Sequence, residues 1–283
     1  MKTKNILLGI LIVIGLILIV GVFRNHNISN LIQQSTLTRI QDTKIMRVGY
    51  AAYPPYVIKD LKTGKLSGYY IDIMNEMANR MGVKIEWIET TWNTYITDLQ
   101  TGKFDVIDDP MFTSIPRWEQ ISFTSPLGYF SGVAGLAKGS ENRFAKLDNL
   151  NQKGITIAVP QGWTAQDYAT KYLTNATVKS FPGDTAALAF ADVVAGNSAI
   201  ALADGPSVQQ YIEQNLNQNV KALFLDNPSV ITPAAWGIKK GDLEWLTFLN
   251  GSIESMRTDG TLKKIAQKYH LYSYDVESKF APQ

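Results

Sequence analysis

Short β-type runs alternate with helical periodicity from Ile45 onward, and this alternation constrains the fold more than any other feature of the chain. IMRVGYA is typical of a strand, and YYIDIMNEMANRMG is typical of an amphipathic helix that ends at Gly82. The apolar face of that helix carries Ile71, Met74, Met77, Ala78 and Met81. The strand–helix–strand–helix–strand order predicts an α/β lobe with a mainly parallel sheet.

The same alternation recurs after residue 150 and predicts a second lobe. GITIAVP predicts a strand, and TAQDYATKYL predicts a helix in which Thr164 and Asp167 have capping-box spacing. SAIALAD then predicts a short buried strand, and PSVQQYIEQNL predicts a helix that begins at Pro206.

Two extended, small-residue segments are expected to connect the lobes. YFSGVAGLAKG predicts an outward crossing near Ser131 to Leu136, and TPAAWGIKKG predicts a return near Ala234 to Ile238. The C-terminal helices then belong with the first lobe, so residues 45–134 and 236–283 form lobe 1 and residues 135–235 form lobe 2. Two connections permit a hinge that closes over a ligand.

The N-terminus predicts a location outside the cytoplasm. Lys2 and Lys4 precede an uncharged run from Ile6 to Phe23, which is just long enough to cross a bilayer as a helix. A cleaved signal segment is the alternative, and cleavage would release the protein to the periplasm or the medium. We expect residues 1–23 to form an N-terminal transmembrane anchor and residues 24–44 to form a tether.

Composition excludes several functional classes. The net charge of +2, from 27 basic and 25 acidic residues, does not indicate a nucleic-acid partner. The absence of cysteine excludes disulfides and thiolate metal sites. His26 and His270 are too far apart in the sequence to suggest a metal site, so we expect neither metal nor cofactor.

Arg117 is the first candidate for a ligand contact. It follows a short apolar strand, Phe104 to Ile107, and a turn region that contains Pro110 and Pro116. A guanidinium at the mouth of a sheet suits a small carboxylate, because its planar fork can hold both oxygens. The alternative is a solvated surface arginine with no ligand.

Seven motifs, in the expected order, resemble the bacterial extracellular solute-binding proteins of family 3, the binding proteins of amino-acid-type ABC transporters. They are YPPY, GKLSGYYIDIMNEMANRMGVK, LQTGKFDVI, Arg117 with ISFTSPL, GITIAVPQGWTA, ALADGPSVQQYI and DGTLKKIAQKYH. The resemblance covers Ile45 to Tyr272. It implies a two-lobed periplasmic-binding-protein (Venus-flytrap) fold with two interlobe crossover strands. It also implies a small polar ligand, an ABC permease as partner and a monomeric protein.

The resemblance also implies roles for individual residues. Arg117 matches the arginine that binds the ligand's carboxylate, and Thr164 with the N–H groups around it matches the second-lobe part of that site. Asp204 matches the aspartate that receives the ligand's ammonium, although an N-cap for the following helix is the alternative. The aromatic wall of the ligand's side-chain site is matched by Tyr53, Tyr56 and Trp92.

The chain departs from the family pattern near the carboxylate site. A hydroxyl-rich run is replaced by Asp109, Pro110, Met111 and Phe112, and Trp163 stands where a small residue is usual. At least one of the adjacent Asp108 and Asp109 is expected to point into the cleft. Carboxylates beside aromatic faces favour a cation, so the interpretation is an amino acid or a cationic or zwitterionic amine. The alternative for the acidic pair is an Asp-Asp-Pro turn without ligand contact.

Three functional classes follow from this pattern. The favoured one is the extracytoplasmic substrate-binding component of an ABC importer, which has no catalytic residues. A dehydratase similar to the periplasmic cyclohexadienyl dehydratases could use the same fold. A ligand-sensing module is the third class.

Overall fold

Two β-sheets organise the computed structural model, which describes residues 34–183, 185–225, 228 and 230–269. The strands of these residues are β1 (Ile45–Tyr50), β2 (Ile58–Lys59), β3 (Leu66–Ser67), β4 (Lys84–Glu89), β5 (Val106–Phe112), β6 (Ser122–Phe123), β7 (Gly128–Ser131), β8 (Ala134–Lys138), β9 (Thr156–Pro160), β10 (Thr177–Phe181), β11 (Ile200–Ala203), β12 (Val220–Leu223) and β13 (Ile231–Ile238). The helices of these residues are α1 (Thr36–Thr43), α2 (Tyr69–Met81), α3 (Tyr95–Gln100), α4 (Ile115–Trp118), α5 (Thr164–Tyr172), α6 (Ala187–Val194), α7 (Gly205–Gln214), α8 (Leu243–Thr258) and α9 (Thr261–Lys268). A 3-10 turn covers Leu147–Leu150.

The first sheet has the strand order β4-β1-β5-β13-β6, and β7 also pairs with β13. Strands β4, β1 and β5 run parallel, whereas β13 is antiparallel to β5. Helix α2 packs against this sheet with the predicted apolar face inward: Ile71, Met74, Met77 and Ala78 are buried in one core. The expectation of an α/β lobe is therefore confirmed for this half of the chain, but its sheet is mixed rather than mainly parallel, because β13 pairs antiparallel with β5, β6 and β7.

The second sheet has the strand order β10-β9-β11-β8-β12. Strands β10, β9 and β11 are parallel, and β8 and β12 are antiparallel additions. Its strands are almost wholly apolar where they are covered on both faces, as in the buried strand β11. Parallel strands end at a common edge, which brings the start of α5 and the start of α7 to one side of the sheet.

The chain crosses between the sheets at two adjacent places. It leaves the first sheet at Ser131 and enters the second at Ala134. It returns before Ile231, because β13 pairs along its whole length with strands of the first sheet. The predicted return near Ala234 to Ile238, and the boundary at residue 235, are therefore wrong by several residues.

The two crossings lie against each other. The amide of Gly132 donates to the carbonyl oxygen of Val230 over 2.9 Å. A Cβ atom on Gly132 would lie 2.2 Å from the Thr232 hydroxyl oxygen, so glycine permits this close approach. Paired short crossings between two compact lobes are the arrangement in which a hinge operates.

The predicted tether is wrong over its last third. Residues 36–43 form helix α1, capped by Ser35, whose hydroxyl accepts from the amide of Thr38. Leu37 and Ile40 have helical spacing, and both are buried in the first core. The segment folds because this amphipathic helix packs on the core. Its mostly polar composition concealed the helical spacing, and a tether was therefore expected. The rest of the tether and the predicted anchor lie outside the described residues, and within the described residues no helix has the length and apolarity to cross a membrane.

Candidate ligand-binding site

A cavity lies between the two sheets, beside the crossings. Its volume is about 590 Å³, including the open solvent at its mouth. Its described lining residues are Tyr53, Trp92, Asn93, Pro110, Phe112, Arg117, Gly132, Gln161, Gly162, Trp163, Thr164, Ala165 and Asp204. Among these residues Arg117 is the one base and Asp204 is the one acid, and they come from opposite lobes.

Arg117 faces this cavity from the first lobe. One guanidinium nitrogen, Nη1, donates to the carbonyl oxygen of Phe112 over 2.6 Å, and this bond fixes the direction of the side chain. Burial lowers the pKa of Arg117, and the Asp167 carboxylate across the cleft offsets this in part. An arginine still stays charged under these conditions. None of the ion pairs among the described residues includes Arg117.

Helix α5 points its N-terminus at the cavity from the second lobe. Its N-cap residue is Trp163, whose side chain makes no capping hydrogen bond. The predicted capping box of Thr164 and Asp167 is therefore wrong, because Thr164 is already the first helical residue. Thr164 and Ala165 both line the cavity. The uncapped first turn favours an anion, and it lies across the same cavity as Arg117.

Asp204 ends strand β11 and begins helix α7. Its carboxylate oxygen Oδ1 accepts from the amide of Ser207 over 2.8 Å, so the cap alternative is confirmed. The same oxygen accepts from the Tyr53 hydroxyl over 2.6 Å, and Asp204 also lines the cavity. Burial raises the pKa of Asp204, while the Tyr53 and Ser207 hydrogen bonds act in the opposite direction. One residue thus caps a helix and presents an acid to the cavity.

Aromatic rings form most of the remaining wall. The Tyr53 and Trp92 rings meet edge to face at 5.7 Å, and Phe112 and Trp163 line the cavity with them. Tyr56 is not part of this surface. It is buried, and its ring stacks on Tyr53 with centroids 5.5 Å apart. The prediction that Tyr56 forms the wall is corrected to a supporting position behind it.

The acidic pair does not enter the cavity. Asp108 and Asp109 are both fully buried, and neither lines the cavity. Asp109 accepts from the amide of Ala51 over 2.8 Å. Met111 is likewise buried in the core of the first lobe. The predicted ligand contacts of Asp109 and Met111, and the inward direction of one aspartate, are therefore wrong.

A strand bulge explains the burial of both acids. Ile107 pairs with Gly237 and Met111 with Ala235, so three residues of β5 stand opposite one residue, Trp236, of β13. The inserted segment contains Pro110, which has no N–H to donate to a ladder. The alternation of a regular strand is lost there, and it no longer separates neighbouring side chains to opposite faces.

Sequence reasoning did not identify six lining residues as contacts: Asn93, Pro110, Gly132, Gln161, Gly162 and Ala165. Gly162 had a usable signal, because a glycine between a strand and a helix marks a loop at the carboxyl end of a sheet. Asn93 is adjacent to the predicted Trp92. Within the described ranges, no cluster of three or more His, Cys, Asp or Glu side chains is placed to hold a metal ion.

The fold is that of a two-lobed binding protein, and the cavity lies between the lobes. The chain belongs to the bacterial extracellular solute-binding proteins, family 3, whose family model matches residues 46–272. The expectation from the sequence motifs is confirmed. Proteins of this family bind solutes outside the cytoplasm.

Two curated relatives and one solved structure show the similarity in detail. A probable amino-acid ABC transporter-binding protein of Haemophilus influenzae is 28% identical over 84% of this chain and 88% of its own length. The lysine/arginine/ornithine-binding periplasmic protein of Escherichia coli is 29% identical over 79% of this chain and 86% of its own length. The ancestral amino acid-binding protein AncCDT-1, a precursor of cyclohexadienyl dehydratase, is 31% identical with a TM-score of 0.73, and the match covers 83% of this chain and 99% of that chain.

Proposed function

We propose that this chain is the substrate-binding component of an ABC importer and that it captures an amino acid by closure of its two lobes. The observation that carries the proposal is the pairing of charges in one cavity. Arg117 of the first lobe and Asp204 of the second line the same space, and they are the one base and the one acid among its described residues. A zwitterion complements such a pair, because each of its charges meets the opposite sign.

The ligand's carboxylate is assigned to Arg117 and the N-terminus of α5. The guanidinium has donors to spare beyond its bond to Phe112, and helix N-termini attract anions. The ligand's ammonium is assigned to Asp204. Because the two halves of the site belong to different lobes, ligand contacts are complete only when the lobes meet, and binding shifts the protein towards the closed form.

The ligand's side chain is expected to be cationic or polar rather than acidic. The aromatic faces of Tyr53, Trp92 and Phe112 favour a cation. The similarity to a lysine/arginine/ornithine-binding protein supports this expectation. The acidic pair gives no support to a cationic ligand, because Asp108 and Asp109 lie outside the cavity. A second carboxylate on the ligand would find no second base among the described lining residues.

The test is isothermal titration of the full chain with lysine, arginine, glutamine, glutamate and choline. We expect one-to-one binding of arginine or lysine, weaker binding of glutamine and the weakest binding of glutamate. Choline is a cation without a carboxylate, so its affinity tests whether a contact between Arg117 and a carboxylate contributes to binding. Tightest binding of glutamate would contradict the side-chain assignment, and tight binding of choline alone would contradict the amino-acid assignment.

Binding without catalysis is also part of the proposal. A dehydratase on this fold requires a general acid aimed at its substrate. Asp204 instead accepts hydrogen bonds from Tyr53 and Ser207, which leaves it acting as an acceptor. Incubation of the chain with prephenate or arogenate, with detection of an aromatic product, tests the enzymatic alternative.

The remaining assignments concern location and partners. The N-terminal apolar run supports a membrane anchor on the extracytoplasmic face. An anchor would raise the local concentration of the binding protein at its permease. We assign the protein as a monomer that delivers its ligand to an ABC permease, and the balanced charge is consistent with the absence of a nucleic-acid partner.

A further inference from the structure

A side-chain hydrogen bond joins the two lobes across the cavity, beside the first crossing, where Gly205 lies against Ser131. The Tyr53 hydroxyl of the first lobe donates to Asp204 Oδ1 of the second lobe over 2.6 Å. This length is typical of a strong bond from a hydroxyl to a carboxylate. Burial and the neighbouring Asp204 hold the pKa of Tyr53 well above its usual range, so the hydroxyl keeps the proton that it donates.

Both ends of this bond are held by their own lobes. The amide of Tyr53 donates to the carbonyl oxygen of Val57 over 2.8 Å, and Asp109 holds the amide of Ala51 at the start of the same loop. On the other side, the amide of Ser207 fixes Asp204 Oδ1 in its capping position. A donor and an acceptor that are fixed in advance lose little conformational freedom when they meet.

The bond leaves one carboxylate oxygen for a ligand. Both the Tyr53 hydroxyl and the Ser207 amide donate to Oδ1, whereas Oδ2 receives only a long contact of 3.2 Å from the Ser207 hydroxyl among the bonds of the described residues. An ammonium can therefore bind at Oδ2 while the Tyr53 bond is intact. Closure by Tyr53 and recognition of a cation by Asp204 are compatible in one closed form.

We propose that the Tyr53 hydroxyl is a positioning group that determines affinity: it closes the cleft through Asp204 ahead of the ligand. Its ring lines the cavity, but its hydroxyl acts between the lobes. A protein that is already closed in part binds its ligand more tightly, because apparent affinity scales with the population of the binding-competent form. The effect on affinity depends on the proposed amino-acid site, whereas closure itself does not.

The size of the effect follows from the bond type. Hydrogen bonds to charged groups change equilibria by roughly tenfold or more. Removal of the Tyr53 hydroxyl is therefore expected to lower the ratio of closed to open protein about tenfold. The apparent Kd for ligand should rise by about two- to tenfold, and the rise is smallest if the wild type is mostly closed without ligand.

The experiment measures interlobe distances by electron–electron double resonance in the full chain. The chain has no cysteine, so cysteines introduced at the exposed positions of Leu61 and Leu216 carry the two spin labels without competition. Tyr53→Phe removes the hydroxyl. Tyr269→Phe is the matched control, because it removes a tyrosine–carboxylate bond of 2.8 Å to Asp72 within the first lobe.

A second variant separates closure from ligand charge. Asp204→Asn keeps an acceptor oxygen, which the Ser207 amide holds in place for the Tyr53 hydroxyl. The side-chain NH2 group of the asparagine then takes the place of Oδ2. Because NH2 is a donor and not an acceptor, it cannot bind a ligand ammonium. The expected pattern is reciprocal: Tyr53→Phe adds an open population without ligand and raises the Kd for arginine two- to tenfold. Asp204→Asn leaves a neutral and weaker bond to Tyr53, so its ligand-free closed population should lie between those of the wild type and Tyr53→Phe, but it should lose at least about 100-fold in affinity for arginine.

Two results would overturn the proposal. One is a ligand-free distance distribution of Tyr53→Phe that matches those of the wild type and Tyr269→Phe. The other is tighter binding of arginine by Tyr53→Phe, which would mean that the ligand has to break the bond. If no amino acid binds to the wild type, the proposed function fails, but the ligand-free distances still decide whether Tyr53 closes the cleft.

Discussion

Asp108 is the buried group whose environment departs most from what its chemistry favours. Its side chain is 0% exposed, and among the described residues neither of its oxygens accepts a hydrogen bond of normal geometry. Burial raises its pKa well above the usual range, and the side chain of Trp236 lowers it only in part. Burial raises the pKa of the adjacent Asp109 as well. The bulge of β5 thus holds two acids in a place that favours their protonated forms.

The first prediction is that Asp108→Asn stabilises the protein and flattens its pH dependence. The folded chain holds the Asp108 proton to a higher pH than the unfolded chain does. The contribution of Asp108 to stability is therefore greatest at low pH and falls as the pH rises above about 4 towards the folded pKa. Asparagine has no charge to bury, so at pH 8 the variant should gain about 1–3 kcal/mol in the free energy of unfolding.

Urea denaturation of the full chain at pH 4.5 and pH 8 measures this difference. Asp60→Asn is the control, because Asp60 is exposed and its hydrogen bonds to Lys62 and Thr63 lower its pKa. The control should not stabilise the protein at pH 8. Equal stability of Asp108→Asn and wild type at both pH values would show that Asp108 is not a strained acid.

Single residues differed in how far the sequence could place them. Arg117 and Asp204 were predictable, because each belongs to a motif beyond a strand: Asp204 directly follows β11, and Arg117 lies in the short helix α4 after β5. Asp109 and Met111 were not, because their placement depends on the bulge opposite Trp236. A bulge is set by the pairing of two distant strands, and the local sequence of β5 offers only Pro110 as a hint.

At the scale of elements, helix α1 is the clearest departure from expectation. Its packing is anchored by Ile40, which is 0% exposed, and by an ion pair between Arg39 and Asp105. The amide of Thr36 also donates to Asp242, the N-cap of α8, over 2.9 Å. The segment is therefore an integral part of the first lobe rather than a spacer.

The second prediction is that Ile40→Ala lowers the free energy of unfolding by about 2–5 kcal/mol, because it leaves a cavity in the first core. Urea denaturation followed by circular dichroism measures the loss. Leu61→Ala is the matched control, since its side chain is 93% exposed and should contribute little. An unchanged free energy in Ile40→Ala would restore the tether interpretation.

The elements were otherwise largely predictable where their periodicity is long. Helix α2 follows its apolar face closely, and the parallel strands follow their apolar runs. The return crossing was misplaced because Pro233 lies inside β13, and a proline within an apolar run argues against a continuous strand. Pairing with β5 and β7, which are more than a hundred residues earlier, decides where that strand begins.

At the scale of the whole molecule, the proposed function depends on opposite charges that the fold brings from two lobes to one cavity. Arg117 lies in the first lobe and Asp204 in the second, and the adjacent crossings permit the lobes to move about one hinge. The motif order predicted this architecture. The bond between Tyr53 and Asp204 could not be predicted, because it depends on the relative placement of two separately folded lobes.

Titration of the full chain with arginine, in wild type and in Arg117→Ala, tests the central claim most directly. Without the guanidinium the ligand's carboxylate loses its charged partner in the cavity, and the expected loss is about 2–5 kcal/mol, or about 30-fold or more in Kd. Arg80→Ala is the control, since Arg80 is an exposed arginine of the same lobe and forms its ion pairs outside the cavity. We expect Arg80→Ala to bind like wild type and Arg117→Ala to lose binding, and equal affinities of Arg117→Ala and wild type would contradict the assignment of Arg117 to the ligand's carboxylate.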